Sequence, residues 1–381
     1  MNTLSKRRFT TLILAATLST SIYAQKINDH LEIGGWLRAN IQDKSYSPND
    51  QHLKFDAAKL IIQYNSELMS GQFEYRCYQF DQICDFSALV DANLSYHIAD
   101  NPQHKVTFGI QSLPFGPARN WSSNWYGGLL VNTGLEDVHN LGIKYQYPWS
   151  DQTQIELAYF VSDAGNYFGQ SQDAARYSAN LVSTGQDSPL SDLTERDLWL
   201  LRLKHGFEFS EYTDLNIGAS YWYSTIENKS ESQNGKSERW ATFATLQHLN
   251  WVLTLTAGQT RLENKDPLSP HSSIVGSFDT AYAVANDADF YTADLYYPIK
   301  LNEKSTISPY VTYSYLDKMQ TGFQDSSRFI LGVQWDYRPI SIAAEYIVGK
   351  NDYFIGGTEQ AFAQGESDSE RLFNLLFLYH F

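Results

Sequence analysis

The sequence lacks any long hydrophobic run outside its N-terminal segment. A helix needs about 20 consecutive apolar residues to span a bilayer, and no later stretch of the 381 residues approaches that length. Basic charge is also scarce, since 28 Lys and Arg stand against 43 Asp and Glu, a net charge of −15. These features exclude membrane-spanning helices, and so acidic a chain argues against nucleic acid as a partner.

Recognisable catalytic and metal-binding motifs are missing as well. The sequence contains no G-x-S-x-G, no H-E-x-x-H and no phosphate-binding glycine loop. Its nine histidines are scattered without the spacing of metal ligands. We therefore predict no metal, no cofactor and no catalytic residue. The many Asp and Ser of the connections leave open a catalytic set that is assembled only in space.

The first 24 residues have the features of a signal peptide. Lys6, Arg7 and Arg8 form a basic start, residues 9–22 are a short and largely apolar run, and Ala24 is a small residue suited to a cleavage edge. Removing the segment takes three of the 28 basic residues and no acidic one, so the mature chain has a net charge of −18. We predict secretion, with residues 25–381 as one uninterrupted domain.

Aromatic residues are abundant, at 15% of the chain, and strand-like alternation recurs along the whole mature sequence. A strand has a side-chain period of two, so alternating apolar and polar residues occupy opposite faces. Sixteen segments show this pattern or a β-rich composition: 30–41, 53–65, 72–80, 88–98, 105–113, 138–147, 154–161, 197–209, 215–225, 238–249, 251–261, 290–299, 306–316, 328–337, 340–348 and 371–381.

The connections between these segments alternate in length. Those after even-numbered segments are short, for example 66–71 and 338–339, whereas the longest, 114–137, 162–196, 262–289 and 349–370, follow odd-numbered ones. Short periplasmic turns alternating with long external loops are typical of a transmembrane β-barrel. We therefore predict an all-β fold, a transmembrane antiparallel barrel of about 16 strands, embedded in outer-membrane lipids. At this strand number a barrel encloses an aqueous channel.

The last eleven residues, RLFNLLFLYHF, place Phe373, Leu375, Phe377, Tyr379 and Phe381 on one face of a strand. A soluble strand with such a face usually leads into structure that covers it, but here the chain ends. The stretch resembles the C-terminal signature of Gram-negative outer-membrane proteins. That resemblance implies that Phe377, Tyr379 and Phe381 form an assembly signal read by the barrel-assembly machinery.

Residues 114–137, PFGPARNWSSNWYGGLLVNTGLED, form the third external loop. In sixteen-stranded porins this loop folds into the lumen, and the preceding GIQSLPFG resembles a segment of the phosphate-selective porin O/P family. The resemblance implies a homotrimer whose third loop is the pore constriction, with Arg119, Glu136 and Asp137 as its charges. Phosphate-selective members line the pore with many basic residues, and this loop has one, so the resemblance concerns fold and not phosphate selectivity.

Charged residues predicted to face the lumen are unevenly distributed. On the first eight strands they are mainly basic, interrupted by acidic residues such as Glu74 and Glu156, and on later strands they are acidic. Opposed charges set a transverse field that sorts solutes by charge and dipole; the alternative is a salt-bridged wall that keeps the barrel wet. The predicted pore-lining residues are Arg38, Lys59, Arg76, Lys105, Lys144, Arg202, Lys204, Asp294, Asp336 and Glu345.

Cys77 and Cys84 are the only cysteines and lie seven residues apart across a tight external connection. In an oxidising compartment such a pair is expected to form a disulfide.

Three functions fit the sequence. The leading hypothesis is a passive-diffusion porin of a Gram-negative outer membrane that passes small polar solutes or ions. The second is an outer-membrane barrel enzyme, lipase-like or protease-like, for which the sequence nominates no nucleophile and base. The third is a secreted soluble β-protein that binds glycans.

Overall fold

The structure is a computed structural model that describes residues 25–47, 52–163, 169, 174–182, 192–366 and 368–381. The predicted signal peptide, residues 1–24, lies outside the described residues. Among the described residues, no helix is long and apolar enough to cross a lipid bilayer.

Sixteen strands form one closed antiparallel barrel. Numbered β1 to β16 in chain order, they are Leu31–Lys44, Lys54–Asn65, Met69–Tyr78, Phe86–Ile98, Asn101–Ser112, His139–Pro148, Thr153–Asp163, Leu193–Ser210, Thr213–Asn228, Gln233–His248, Trp251–Glu263, Asp287–Tyr296, Ser305–Lys318, Ser326–Tyr337, Ile340–Lys350 and Ser369–His380. Each pairs with the next, and β16 pairs with β1 to close the ring. The predicted barrel and its sixteen segments are confirmed, with boundaries moved by a few residues.

Connections of different length gather at the two ends of the barrel, as predicted. Even-numbered strands are followed by turns as short as Ala99–Asp100, whose φ angles of 53° and 54° suit a two-residue hairpin turn. We call this the turn end and the opposite one the loop end. Three long connections lie at the loop end. They are loop 4 between β7 and β8, loop 6 between β11 and β12, and loop 8 between β15 and β16.

The outer face carries the apolar set that the sequence predicted. On β16, Phe373 and Tyr379 are exposed while the alternate residues Leu372 and Asn374 are buried inside. Phe381 exchanges backbone hydrogen bonds with Gly35 of β1 across the closing seam. A Cβ on Gly35 would lie 2.8 Å from the ring of Phe381, so glycine provides the space for that ring.

The inner face changes character along β4 and β8. On β4, Phe86 near the loop end is completely buried, whereas Ser95 lies toward the turn end. On β8, buried Leu200 is likewise followed by Lys204. We call the apolar part of the interior the loop half and the polar part the turn half.

The long loops fold into the loop half and pack against its wall. Three short strands, Asn180–Leu181 of loop 4 and Ser272–Ser277 and Thr280–Ala285 of loop 6, form a second sheet. This sheet was not predicted, because the sequence pattern marked both connections only as loops. Residues of the loops and of the inner wall join in one hydrophobic cluster, which includes Leu129, Leu130, Trp222, Tyr282, Phe290 and Phe362.

Candidate functional site

Loop 3, residues 114–137, crosses the interior of the barrel. It leaves β5 and returns at β6, and its middle contacts inward-facing residues of β12 to β15, on the opposite side of a ring of sixteen strands. Ser123 donates a hydrogen bond to Asp294 of β12 (3.0 Å), and the indole of Trp125 donates one to Gln334 of β14 (2.8 Å). A single helical turn, α1 (Leu129–Asn132), carries the returning chain. Loop 3 therefore lies where it would narrow any passage through the barrel.

The base of loop 3 is fixed by a network around Arg119. Its guanidinium contacts Asp137 of the same loop (2.6 Å), Glu74 of β3 (3.1 Å) and Asp91 of β4 (3.2 Å). His139 lies between Asp91 and Asp137, 3.0 and 2.9 Å away. Burial alone would raise the pKa of Asp137, but Arg119 and His139 lower it well below its ordinary value. Arg119 and Asp137 thus lie together and hold the base of the loop to the wall.

Glu136 is directed into the loop rather than toward Arg119. Its side chain is buried, and Oε1 accepts a hydrogen bond from the backbone amide of Trp121 (2.6 Å). Burial raises the pKa of Glu136 to about 8, and the neighbouring charges of Asp137 and Asp294 act in the same direction. This carboxyl ties the two arms of the loop together and does not present a charge to the lumen.

Two of the predicted lumen acids serve as anchors for loop 3. Glu345 of β15 is completely buried and accepts hydrogen bonds from the backbone amides of Trp125 (2.7 Å) and Tyr126 (3.3 Å). Asp294 is 5% exposed and accepts from Ser123. Both carboxylates are covered by the loop, which leaves Asp336 of β14 as the half-buried acid of the predicted three.

A buried ion pair attaches the tip of loop 3 to the wall and to loop 8. Arg328 of β14 is 2.7 Å from Asp352 at both oxygens and is 1% exposed. Its Nη1 also donates to the carbonyl oxygens of Gly127 (2.9 Å) and Gly128 (3.2 Å) and to Oδ1 of Asn132 (2.9 Å). One guanidinium thus joins a strand and two loops.

Basic residues line one wall of the turn half. Lys105, Lys144 and Lys204 are half-buried on β5, β6 and β8. Among the described residues, none of the three has a carboxylate within ion-pair distance, while Arg202 beside them is paired with Glu156. Asp336 lies on β14, across the ring from this wall. The turn half therefore combines unpaired cationic groups with an acid on the facing side.

The other predicted pore residues lie on β1 to β3. Arg38 pairs with Asp56, Lys59 lies 5.8 Å from the ring of Trp36, and Arg76 pairs with Glu74. These side chains are half-buried, so the inner wall here consists largely of paired charges.

The two cysteines lie at the loop end of β3. Their sulfur atoms are 2.07 Å apart, the length of a disulfide bond, and close a connection of seven residues.

Sequence reasoning did not select several residues on which this interior depends. Glu74 was noted only as an acid interrupting a basic wall, and Asp91 and Arg328 were not among the predicted pore-lining residues. Asp352, His139 and Tyr177 carried no recognisable signal. The inward phase of β14 identifies Arg328, but its partners on loops 3 and 8 are 24 to about 200 residues away in sequence.

No protein-family model matches the chain, and no curated protein matches it in sequence. Many solved structures do match in fold. The outer membrane channel DcaP of Acinetobacter baumannii is 11% identical, with a TM-score of 0.61 over 94% of this chain and 99% of that one. An anion-selective porin from Comamonas acidovorans is 11% identical, with a TM-score of 0.54 over 92% and 99%. A trimer form of OmpT, an outer membrane protein of Vibrio cholerae, is 13% identical, with a TM-score of 0.52 over 92% and 99%.

The chain has the fold of outer membrane porins. At these identities the likeness concerns architecture alone.

Among the described residues, no group of three or more His, Cys, Asp or Glu is placed to hold a metal ion.

Proposed function

We propose that the protein is a passive-diffusion porin of a Gram-negative outer membrane. The observation that carries the proposal is a closed sixteen-stranded barrel with an apolar outer face and a turn half lined by charged and polar side chains. A barrel of this size encloses an aqueous lumen when its interior is not filled by its own wall side chains. The apolar exterior requires lipid around it, and the polar interior favours water and small polar solutes.

Loop 3 is the constriction in this proposal. Loop 3 crosses the barrel and is fixed at both sides, at Arg119 and at Arg328. We therefore expect it to hold its position in the lumen rather than to move as a flexible loop. Solutes that pass beside it meet Lys105, Lys144 and Lys204 on one side and Asp336 on the other. The three lysines on the wall formed by β5, β6 and β8 favour weak anion preference within an otherwise acidic protein.

The assembly is proposed to be a homotrimer. The support is the resemblance to sixteen-stranded porins, together with a neighbour in fold that was solved in a trimer form.

Planar-bilayer recordings of the refolded protein test the proposed function. Stepwise conductance in a simple salt is expected from a passive pore, and its reversal potential in a salt gradient reports selectivity. A protein that inserts, is heat-modifiable on gels and gives no conductance steps would contradict the proposal and would favour the enzyme alternative. Partition into the aqueous phase without detergent would favour a soluble glycan-binding protein.

Phe381 is proposed to act in assembly. Its ring is on the outer face and its backbone completes the seam with Gly35, so its removal leaves the last pair of the closing ladder unmade. Deleting Phe381 should lower the amount of heat-modifiable protein in outer membranes, while Tyr212→Ala, at an exposed aromatic in a turn, should not. Equal levels of the two variants would contradict an assembly signal.

A further inference from the structure

Loop 6 crosses the barrel in the direction opposite to loop 3. Its strands Ser272–Ser277 and Thr280–Ala285 form a hairpin that starts from β11 and β12. At about 3.3 Å per residue, six residues extend about 20 Å. The hairpin tip reaches β3 and β4, which are eight strands away in the ring of sixteen.

Phe278 at the hairpin tip enters an aromatic pocket on the far wall. Its ring lies 5.4 Å from Tyr78 of β3, 6.1 Å from Phe86 of β4 and 5.6 Å from Tyr177 of loop 4, all edge-on. The amide of Phe278 donates to the carbonyl oxygen of Arg176 (2.7 Å). Aromatic pairs of this geometry stabilise the contact beyond the burial of their area.

The turn itself disfavours phenylalanine. Ser277 pairs with Thr280, so Phe278 and Asp279 are the two turn residues, with φ angles of 49° and 63°. Such turns prefer Asn or Gly, and a bulky residue in the left-handed region is strained. The local backbone therefore offers no reason for phenylalanine, whereas the pocket across the barrel does.

The rest of the hairpin is held on the loop side of the lumen. The hydroxyl of Tyr282 donates to the carbonyl oxygen of Asn132 in loop 3 (2.6 Å), and Ala285 donates to the carbonyl oxygen of Phe362 in loop 8 (3.0 Å). The hairpin thus crosses the loop end. Its tip is held by the half-buried ring of Phe278 against the far wall, by the amide hydrogen bond to Arg176, and by Thr280, whose hydroxyl is 2.6 Å from that of Tyr353.

We propose that the loop 6 hairpin sets the size limit for solutes at the external entrance, and that Phe278 is the residue that latches it. This inference rests on the proposed pore function. Loop 3 and the loop 6 hairpin then act as two filters in series. Removing the ring of Phe278 takes away the aromatic contacts between the hairpin tip and the far wall, which loosens the tip and widens the entrance without changing the charged wall of the turn half.

Phe278→Asn tests the latch while keeping the fold, because Asn suits the left-handed turn and removes only the ring. We expect a higher single-channel conductance than wild type, and liposome-swelling assays should show entry of larger neutral sugars. Leu268→Ala is the matched control, since Leu268 belongs to the same loop and is 73% exposed. It should leave both measurements unchanged.

A reversible cross-link gives an independent measurement. In a Cys77→Ser, Cys84→Ser background, Phe278→Cys combined with Phe86→Cys places a thiol pair across the latch. The pair is bridged by a short bis-methanethiosulfonate, which forms a disulfide with each thiol and releases methanesulfinate, or is joined directly by an added mild oxidant. Conductance of the bridged protein should be at or below the wild-type value, and reduction of the disulfides should raise it to the level of Phe278→Asn.

The outcomes separate the two proposals. Absence of channels from the wild-type protein would contradict the pore function on which the latch rests. Wild-type channels with unchanged conductance and sugar limit in Phe278→Asn, or with no effect of cross-linking, would overturn the latch alone.

Discussion

The loop half of the barrel resembles the interior of a soluble protein, whereas the turn half keeps the polar wall of a channel. Trp222 and Phe290 are completely buried among loop residues in the first, while Lys105 and Lys204 retain contact with solvent in the second. The same strands form both halves. The halves differ because folded loops cover the inner wall of the loop half, whereas water contacts the inner wall of the turn half. One barrel can thus combine packed loops at its loop end with a polar wall at its turn end, and each half should respond to mutation in its own way.

The largest loss of stability is expected from breaking the ion pair between Arg328 and Asp352, which joins the wall to loops 3 and 8. Arg328→Ala leaves Asp352, which is at most 1% exposed, as a buried carboxylate without its cation. Removing one partner of a buried pair costs about 3–5 kcal/mol. The free energy of unfolding in urea, measured in detergent micelles, should fall by this amount.

Arg196→Ala is the control for that experiment. Arg196 forms an ion pair with Glu227 in which both side chains are partly exposed, at 54% and 31%. Exposed pairs contribute at most about 1 kcal/mol. Similar losses for the two variants would show that the loop half is not the packed core described above.

The next largest effect is expected on single-channel conductance when loop 3 is shortened. Deleting residues 120–133 removes the span of loop 3 that crosses the lumen, so single-channel conductance should rise well above that of wild type. The sixteen strands close without this segment, and a heat-modifiable band would verify the fold. A deletion of residues 320–323, in the short connection after β13, should have little effect. A folded loop 3 deletion with wild-type conductance would place the loop outside the path of the current.

Much of the barrel follows from the sequence because its strands obey a local rule. Alternation fixes which side chains meet lipid, and connection lengths fix the order of turns and loops, so β14 and β16 were predicted with the correct faces. Loop packing obeys no such local rule. The pairing of Val275 with Leu181, or of Arg328 with Asp352, joins distant segments whose composition is ordinary.

The candidate site shows the same division. Inward phase correctly marks Glu345 and Asp294 as interior carboxylates, but phase does not reveal that loop 3 covers both. For Glu136, position in the loop suggested a lumen charge, whereas the geometry directs it to the amide of Trp121. Sequence therefore locates the charged residues, and only the folded loops decide which of them reach water.

The third prediction uses pH to probe the base of loop 3. The pKa of Glu136 is raised from 4.5 to about 8, so the folded protein binds this proton more tightly than the unfolded chain. The stabilisation is fully present below pH about 4.5 and is lost progressively as pH rises to about 8. The free energy of unfolding should fall over this interval in wild type.

Glu136→Gln should remove that part of the pH dependence, because glutamine stays neutral throughout. Glu231→Gln, at an exposed loop position, should retain it. Hydrogen exchange of the loop 3 amides against pH locates the effect. An identical pH profile for wild type and Glu136→Gln would mean that this carboxyl is ionised in the folded state.

The smallest expected effect is on selectivity in the turn half. Lys204 is half-buried on the basic wall, and among the described residues no carboxylate lies within ion-pair distance of it. Lys204→Gln should therefore move the reversal potential toward cations, and Asp336→Asn should move it toward anions. Lys304→Gln, in an exposed turn, should give a smaller shift.

Raising the salt from about 0.1 M to about 1 M shortens the Debye length from about 10 to about 3 Å, so the shifts of Lys204→Gln and Asp336→Asn should both shrink. Equal shifts for Lys204→Gln and Lys304→Gln would show that the reversal potential depends only on the overall charge of the protein. The turn half would then not be a charge-selective part of the barrel.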